Sequence, residues 1–136
     1  MKPFALKVVT PDGLEFEGNV EELVVRTTSG DLGIMAGHIN TVAPLGMGEA
    51  MVRIDGEKRY AACIGGMVSV MNGAVTLVPT TFEWAEDIDL ARAKAAENRA
   101  QTVLKDKASS ETDIRIAQAR LRRALVRSSV ASHKSR

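Results

Sequence analysis

The stretch PTTFEWAEDIDLARAKAAENRA, residues 79–100, carries the last proline and the last aromatic residue of the chain, then its first helical spacing. Everything before it is punctuated. All 11 glycines lie between Gly13 and Gly73, and all 4 prolines between Pro3 and Pro79. After Ala85 there is no glycine, proline or aromatic residue, and alanine becomes common. Charge divides at the same place. Residues 1–85 hold 6 Lys and Arg against 10 Asp and Glu, whereas residues 86–136 hold 12 against 7. A Gly/Pro-punctuated half followed by an Ala/Arg-rich half predicts two architectures, β then α. The expected fold class is α+β: an antiparallel β-sandwich or barrel over residues 1–85, then an α-helical hairpin over residues 86–136.

Working back from Pro79, the first half reads as short strands. Phe4–Thr10 alternates and is followed by the turn Pro11-Asp12-Gly13, after which Leu14–Glu17 is placed to pair back. Glu22–Thr28 is rich in β-branched residues, and Ser29-Gly30-Asp31 is read as a turn. Ala50–Ile54 and Arg59–Ile64 flank Asp55-Gly56. Met67–Val70 and Ala74–Val78 flank Asn72-Gly73. Both dipeptides favour the tight turns of hairpins. Gly65-Gly66 reads as a bulge or a tight turn.

Working forward from Trp84, two helices are expected. The first runs from about Asp89 to Leu104, capped by Asp87 or Asp89. The second runs from about Glu111 to Val130, with Ser110 and Asp113 at capping-box spacing. Ile114, Ala117, Leu121, Ala124, Leu125 and Ser128 form one weakly apolar stripe. The polar link Lys105–Ser110 lets the helices fold back on each other, and Ala93, Ala96 and Ala100 permit close approach. Few large side chains are available to hold such a hairpin shut. Burial at about 1.5–3 kcal/mol per large side chain barely offsets backbone ordering of about 1–2 kcal/mol per residue. A segment able to change conformation is the expectation.

Composition excludes several functions. The 136 residues carry a formal net charge of +1, so no global field attracts nucleic acid or an anionic membrane. No apolar run reaches the roughly 18 residues of a membrane helix. The start, MKPFALKVV, has no signal-peptide core, and a cytoplasmic protein is expected. The one cysteine, Cys63, has no partner for a disulfide. It sits in the apolar run Ala61–Ile64 and reads as a small core residue. His38 lies in a glycine-flanked loop and His133 near the end, with no cluster suited to a metal. The segment Gly30–Gly37 lacks the phosphate-loop pattern, and no serine stands in a nucleophile elbow. No catalytic site and no metal are expected.

The arginines say more. Arg92 and Arg99 are seven apart on the first helix, and Asp89 is three before Arg92, within pairing reach. Arg120, Arg123 and Arg127 form one stripe on the second. Guanidinium groups gathered without enough carboxylates repel each other. A phosphate bound through paired N–H groups relieves that repulsion. A solvated basic face is the bland alternative, and docking onto an acidic protein or nucleic acid is a third. The absence of aromatic residues for base stacking disfavours nucleic acid.

Taken in order, the motifs resemble the epsilon subunit family of F-type ATP synthases. The residues that carry the resemblance are Val9–Gly13, Ser29–Ile34, Gly37-His38, Val42–Leu45, Gly65-Gly66, and Ile88-Asp89-Leu90-Ala91-Arg92-Ala93. The last matches an I-D-x-x-R-A pattern. The resemblance covers nearly the whole chain. It implies a non-catalytic central-stalk subunit at the cytoplasmic face of a bacterial membrane. Its sandwich would bind a gamma subunit and touch a ring of c subunits, with Asp31 and His38 in the contact. Its hairpin would inhibit ATP hydrolysis when extended into the alpha/beta catalytic head and permit rotation when folded. ATP would favour the folded state as a regulatory ligand. Glu83, Ile88, Asp89, Arg92, Ala93 and Arg99 match the ATP-contacting positions. On the second helix Arg123 and Arg127 match, and both are implied phosphate partners. The chain departs from the pattern at Ala36 and Asn40, where proline is usual, and at Val126, where asparagine is usual. The alternative reading is a stand-alone binding module whose basic helical tail grips an acidic protein or nucleic acid.

Overall fold

The structure, a computed structural model, describes residues 1–135. The chain divides into two compact units, Met1–Trp84 and Ala85 onward.

The first unit is a sandwich of two five-stranded sheets. Its strands are β1 (Phe4–Thr10), β2 (Gly13–Val20), β3 (Glu22–Thr27), β4 (Gly30–Ile34), β5 (Thr41–Pro44), β6 (Met47–Ile54), β7 (Glu57–Ile64), β8 (Met67–Met71), β9 (Ala74–Val78) and β10 (Thr81–Trp84). One sheet runs β2-β1-β9-β8-β5 and the other β10-β7-β6-β3-β4. Alternation decides which side chains enter the core. In β1 the buried set is Phe4, Leu6, Val8 and Thr10. Leu23 and Val25 of β3, Val68 and Val70 of β8, and Val75 and Leu77 of β9 belong to the same core. In both hairpins the turn residues adopt positive φ: Asp55 and Gly56 at 51° and 80°, Asn72 and Gly73 at 50° and 85°. That geometry matches the twist of the flanking strands.

Three strands differ from the sequence expectation. The turn after β3 is confined to Thr28 and Ser29, so Gly30 and Asp31 already belong to β4. β5 and β10, four residues each, are too short to be read alone. One pair is not antiparallel: β1 and β9 run parallel, with Ala5 opposite Ala74 and Val8 opposite Leu77. The pairing joins segments nearly a whole unit apart in sequence, so no local signal announces it.

In the second unit a 3-10 turn, Ala85–Asp87, leads into α1 (Leu90–Lys105) and α2 (Glu111–Ala131). Asp89 caps α1, its carboxylate accepting the Arg92 backbone N–H at 3.0 Å. Ser110 and Asp113 form a full capping box on α2, with Asp113 N–H donating to Ser110 Oγ at 3.1 Å. The link between the helices is ordered by its own polar groups. Asp106 Oδ1 accepts from Ala108 N–H at 2.9 Å, and Ser109 Oγ donates to the Val103 carbonyl at 2.8 Å. The helices pack against each other, burying Ala93 and Ala100 of α1 and Ala117, Ala124 and Ser128 of α2.

Candidate functional site

Two groups of residues were expected to carry function, one in each unit. On the hairpin, the start of α1 is set by local chemistry. Ile88 is 2% exposed and anchors the entry to the helix. Asp89 follows in an extended conformation as the cap, and its carboxylate is committed to the backbone of the first turn. Sequence spacing placed Asp89 to pair with the Arg92 guanidinium. The structure gives its carboxylate the Arg92 amide instead, because the cap residue lies beside the unpaired N–H groups of the first turn. Arg92 itself is exposed, as is Arg99 one heptad on, while Ala93 faces inward. On α2, Arg123 and Arg127 are half-buried, whereas Arg120 is exposed. From Ile114 to the end of the chain there is no Asp or Glu, so α2 supplies no carboxylate to neutralise them beyond its first turn.

Packing of α1 on α2 therefore puts Arg92, Arg99, Arg123 and Arg127 on one hairpin. That donor set suits an anion with several oxygens, since each guanidinium offers a planar fork of N–H groups. Glu83 belongs to the first unit, as a half-buried residue of β10 opposite Ala62 of β7.

The second group lies in the sandwich. Asp31, the second residue of β4, stands directly opposite Arg26 of β3, and the two make an ion pair at 3.3 Å. The Arg26 side chain passes over Gly48, where a Cβ would come within 2.6 Å of Arg26 Cβ. Arg26 is the residue that sequence reasoning missed here. Placing the turn at Thr28-Ser29 rather than one residue later would have set it opposite Asp31. His38 sits in the loop after β4. Its amide donates to the Met35 carbonyl at 3.2 Å, and its Nδ1 lies 2.8 Å from the Ile39 carbonyl. The same loop is tied down by Asn40, whose Oδ1 accepts the Asn72 N–H at 2.8 Å across 32 residues of sequence. Nothing in the sequence signals that bond.

Other reactive groups are spoken for. Cys63 is 2% exposed in the sandwich core, and burial pushes its thiol up to about 12. A thiol kept protonated is a poor nucleophile. Among the described residues, no group of three or more His, Cys, Asp and Glu is gathered as a metal would need. No helix among them is long and apolar enough to cross a membrane.

A sandwich of two five-stranded sheets followed by a capped, arginine-bearing helical hairpin defines a two-part class of chain by its fold. Family comparison gives the particular kind. Residues 3–85 match the beta-sandwich domain of the ATP synthase delta/epsilon chain, and residues 86–132 its long alpha-helix domain. The chain belongs to the ATP synthase delta/epsilon family, and within it to the bacterial F-type epsilon kind, a non-catalytic subunit. It is 44% identical to the ATP synthase epsilon chain of Bacillus velezensis over 98% of this chain and 100% of that one. Against the epsilon chain of Bacillus subtilis it is 46% identical over 85% of this chain and 86% of that one. The fold also matches a chain in the Euglena gracilis mitochondrial ATP synthase structure of OSCP, F1 and c-ring. The TM-score there is 0.79 at 24% identity, covering 88% of this chain and 76% of that one.

Proposed function

We propose that this central-stalk subunit senses ATP through its C-terminal hairpin and restrains ATP hydrolysis when the hairpin opens. The sandwich would hold the subunit on a gamma subunit and a ring of c subunits, with Asp31 and His38 in the contact. The hairpin would alternate between a closed form and one extended toward the alpha/beta catalytic head. ATP would bind the closed form at Glu83, Ile88, Asp89, Arg92, Ala93, Arg99, Arg123 and Arg127, at the cytoplasmic face of a bacterial membrane.

The observation that carries the reading is the half-burial of Arg123 and Arg127 on a helix without a carboxylate beyond its first turn. Held in the closed form, these cations gain from a polyanion. In an extended helix they return to water. A ligand that prefers one of two states shifts their balance by its differential affinity. Arg123 and Arg127 would take the phosphates, with Arg92 and Arg99 adding charge from α1.

Two experiments test this. Calorimetric titration of the chain with ATP should give binding that Arg92→Ala and Arg127→Ala each weaken about ten-fold or more, as loss of a charge-assisted contact implies. Equal affinity of wild type and both variants would remove the site assignment while leaving family membership intact. In the assembled synthase, deletion of residues 88–136 should raise ATP hydrolysis at low ATP without loss of assembly. Unchanged hydrolysis would rule out the brake.

A further inference from the structure

Closure of the hairpin brings small side chains together. The buried positions of α1 are Ala93 and Ala100. On α2, Ala117, Ala124, Ser128, Val130 and Ala131 are buried, and all but Val130 follow steps of seven, four and three along one face of the helix. Val130 is the one fully buried side chain of the two helices larger than alanine or serine, and each alanine contributes one methyl group, so the seam gains little from burial. Within it Ser128 is 8% exposed, and its hydroxyl has no hydrogen-bond partner. The neighbouring Ser129 is exposed.

In water the Ser128 hydroxyl is hydrogen-bonded to solvent. In the closed hairpin it loses that hydration and gains nothing in return. Leaving a buried donor unsatisfied costs the full desolvation of the group. The cost falls only on the closed form, and it is set against a seam with little to offset it.

We propose that Ser128 biases the hairpin toward opening, and so raises the ATP concentration needed to close it. The second half of this statement rests on the ATP reading above. The ATP contacts set how much closure gains from the ligand, and Ser128 sets how much the ligand must overcome. A binding-competent state that is only partly populated lowers apparent affinity by its population.

The test is amide hydrogen exchange of the full chain, read across α1 with and without ATP. A helix of this length is marginal once separated from its partner, so its amides report opening. Ser128→Ala should slow exchange of α1 about ten-fold. Ser129→Ala makes the same change in helix propensity at an exposed site, and should alter exchange by no more than about two-fold. Ser128→Cys is somewhat larger but carries only a weak donor, and should retain most of the slowing. The ATP concentration for half-protection should fall in Ser128→Ala, by a factor that grows with the open fraction of the wild-type hairpin. Equal rates in Ser128→Ala and Ser129→Ala, or faster exchange in Ser128→Ala, would overturn the proposal. Wild-type exchange that ATP leaves unchanged would overturn the ATP reading, while the comparison of the two alanine variants still decides the bias itself.

Discussion

The Arg59 guanidinium lies over the indole of Trp84, 3.8 Å from the ring centroid. The two residues stand on neighbouring strands, β7 and β10. Trp84 also meets Phe82 edge-on at 4.9 Å and Phe16 at 6.0 Å. The last residue of the sandwich is thus fixed by a cation on one side and aromatic edges on others. A cation over a nearly buried indole is worth about 1 kcal/mol. Arg59→Ala should therefore lower stability by about that amount and change the emission of the single tryptophan. Urea unfolding followed by Trp84 fluorescence checks both.

The glycine pair between β7 and β8 is a second point of leverage. A Cβ on Gly66 would fall 1.9 Å from the Val78 carbonyl oxygen, and its φ is +90°. Gly73 has nearly the same φ, +85°, but opens onto free space. Gly66→Ala should cost about 3 kcal/mol or more, because clash adds to strain. Gly73→Ala should cost about 1 kcal/mol, from strain alone. Thermal unfolding of the two variants side by side separates the effects.

Cys63 predicts a pH dependence. Its thiol moves from an ordinary 9.0 to about 12 in the folded chain because burial disfavours the thiolate. Above 9.0 the unfolded chain sheds this proton while the folded chain keeps it, so the unfolded state binds fewer protons. Stability from this group is complete below 9.0 and is lost as pH rises toward about 12. The slope should be about 1.4 kcal/mol per pH unit between the two values. Cys63→Ala should lack that slope, measured by denaturant unfolding at pH 8, 9.5 and 10.5.

Asp89 has two roles that one substitution separates. Asp89→Asn keeps a good helix cap, whereas Asp89→Ala removes it at a cost of about 1 kcal/mol. Circular dichroism should show loss of helix stability in Asp89→Ala only. If Asp89 also contacts ATP through its charge, calorimetry should show altered ATP affinity in Asp89→Asn with the helix intact. Unaltered affinity in Asp89→Asn would confine Asp89 to capping.

Much of the fold was legible because its signals are local. The hairpin dipeptides Asp55-Gly56 and Asn72-Gly73 impose positive φ within two residues. Phe4–Thr10 and Ala74–Val78 alternate cleanly and became strands over those same spans. Asp89, Ser110 and Asp113 cap helices by bonds that span three residues or fewer. The candidate site was legible only as residue types. Spacing placed Arg92 with Arg99 and Arg123 with Arg127, but the half-burial of the second pair comes from packing.

The sequence by itself determined where β gives way to α, where most strands turn, and where both helices begin. Those features depend on backbone preference and on contacts a few residues apart. Tertiary structure alone decided the rest. β4, with its two glycines, has weak preference of its own, β5 and β10 are only four residues long, and all three exist through pairing with β3, β8 and β7. The parallel contact of β1 with β9, the bond from Asn72 to Asn40 and the stranded hydroxyl of Ser128 each join or bury groups far apart in the chain. Long-range contacts form only when many segments order together, so no short window of residues encodes them.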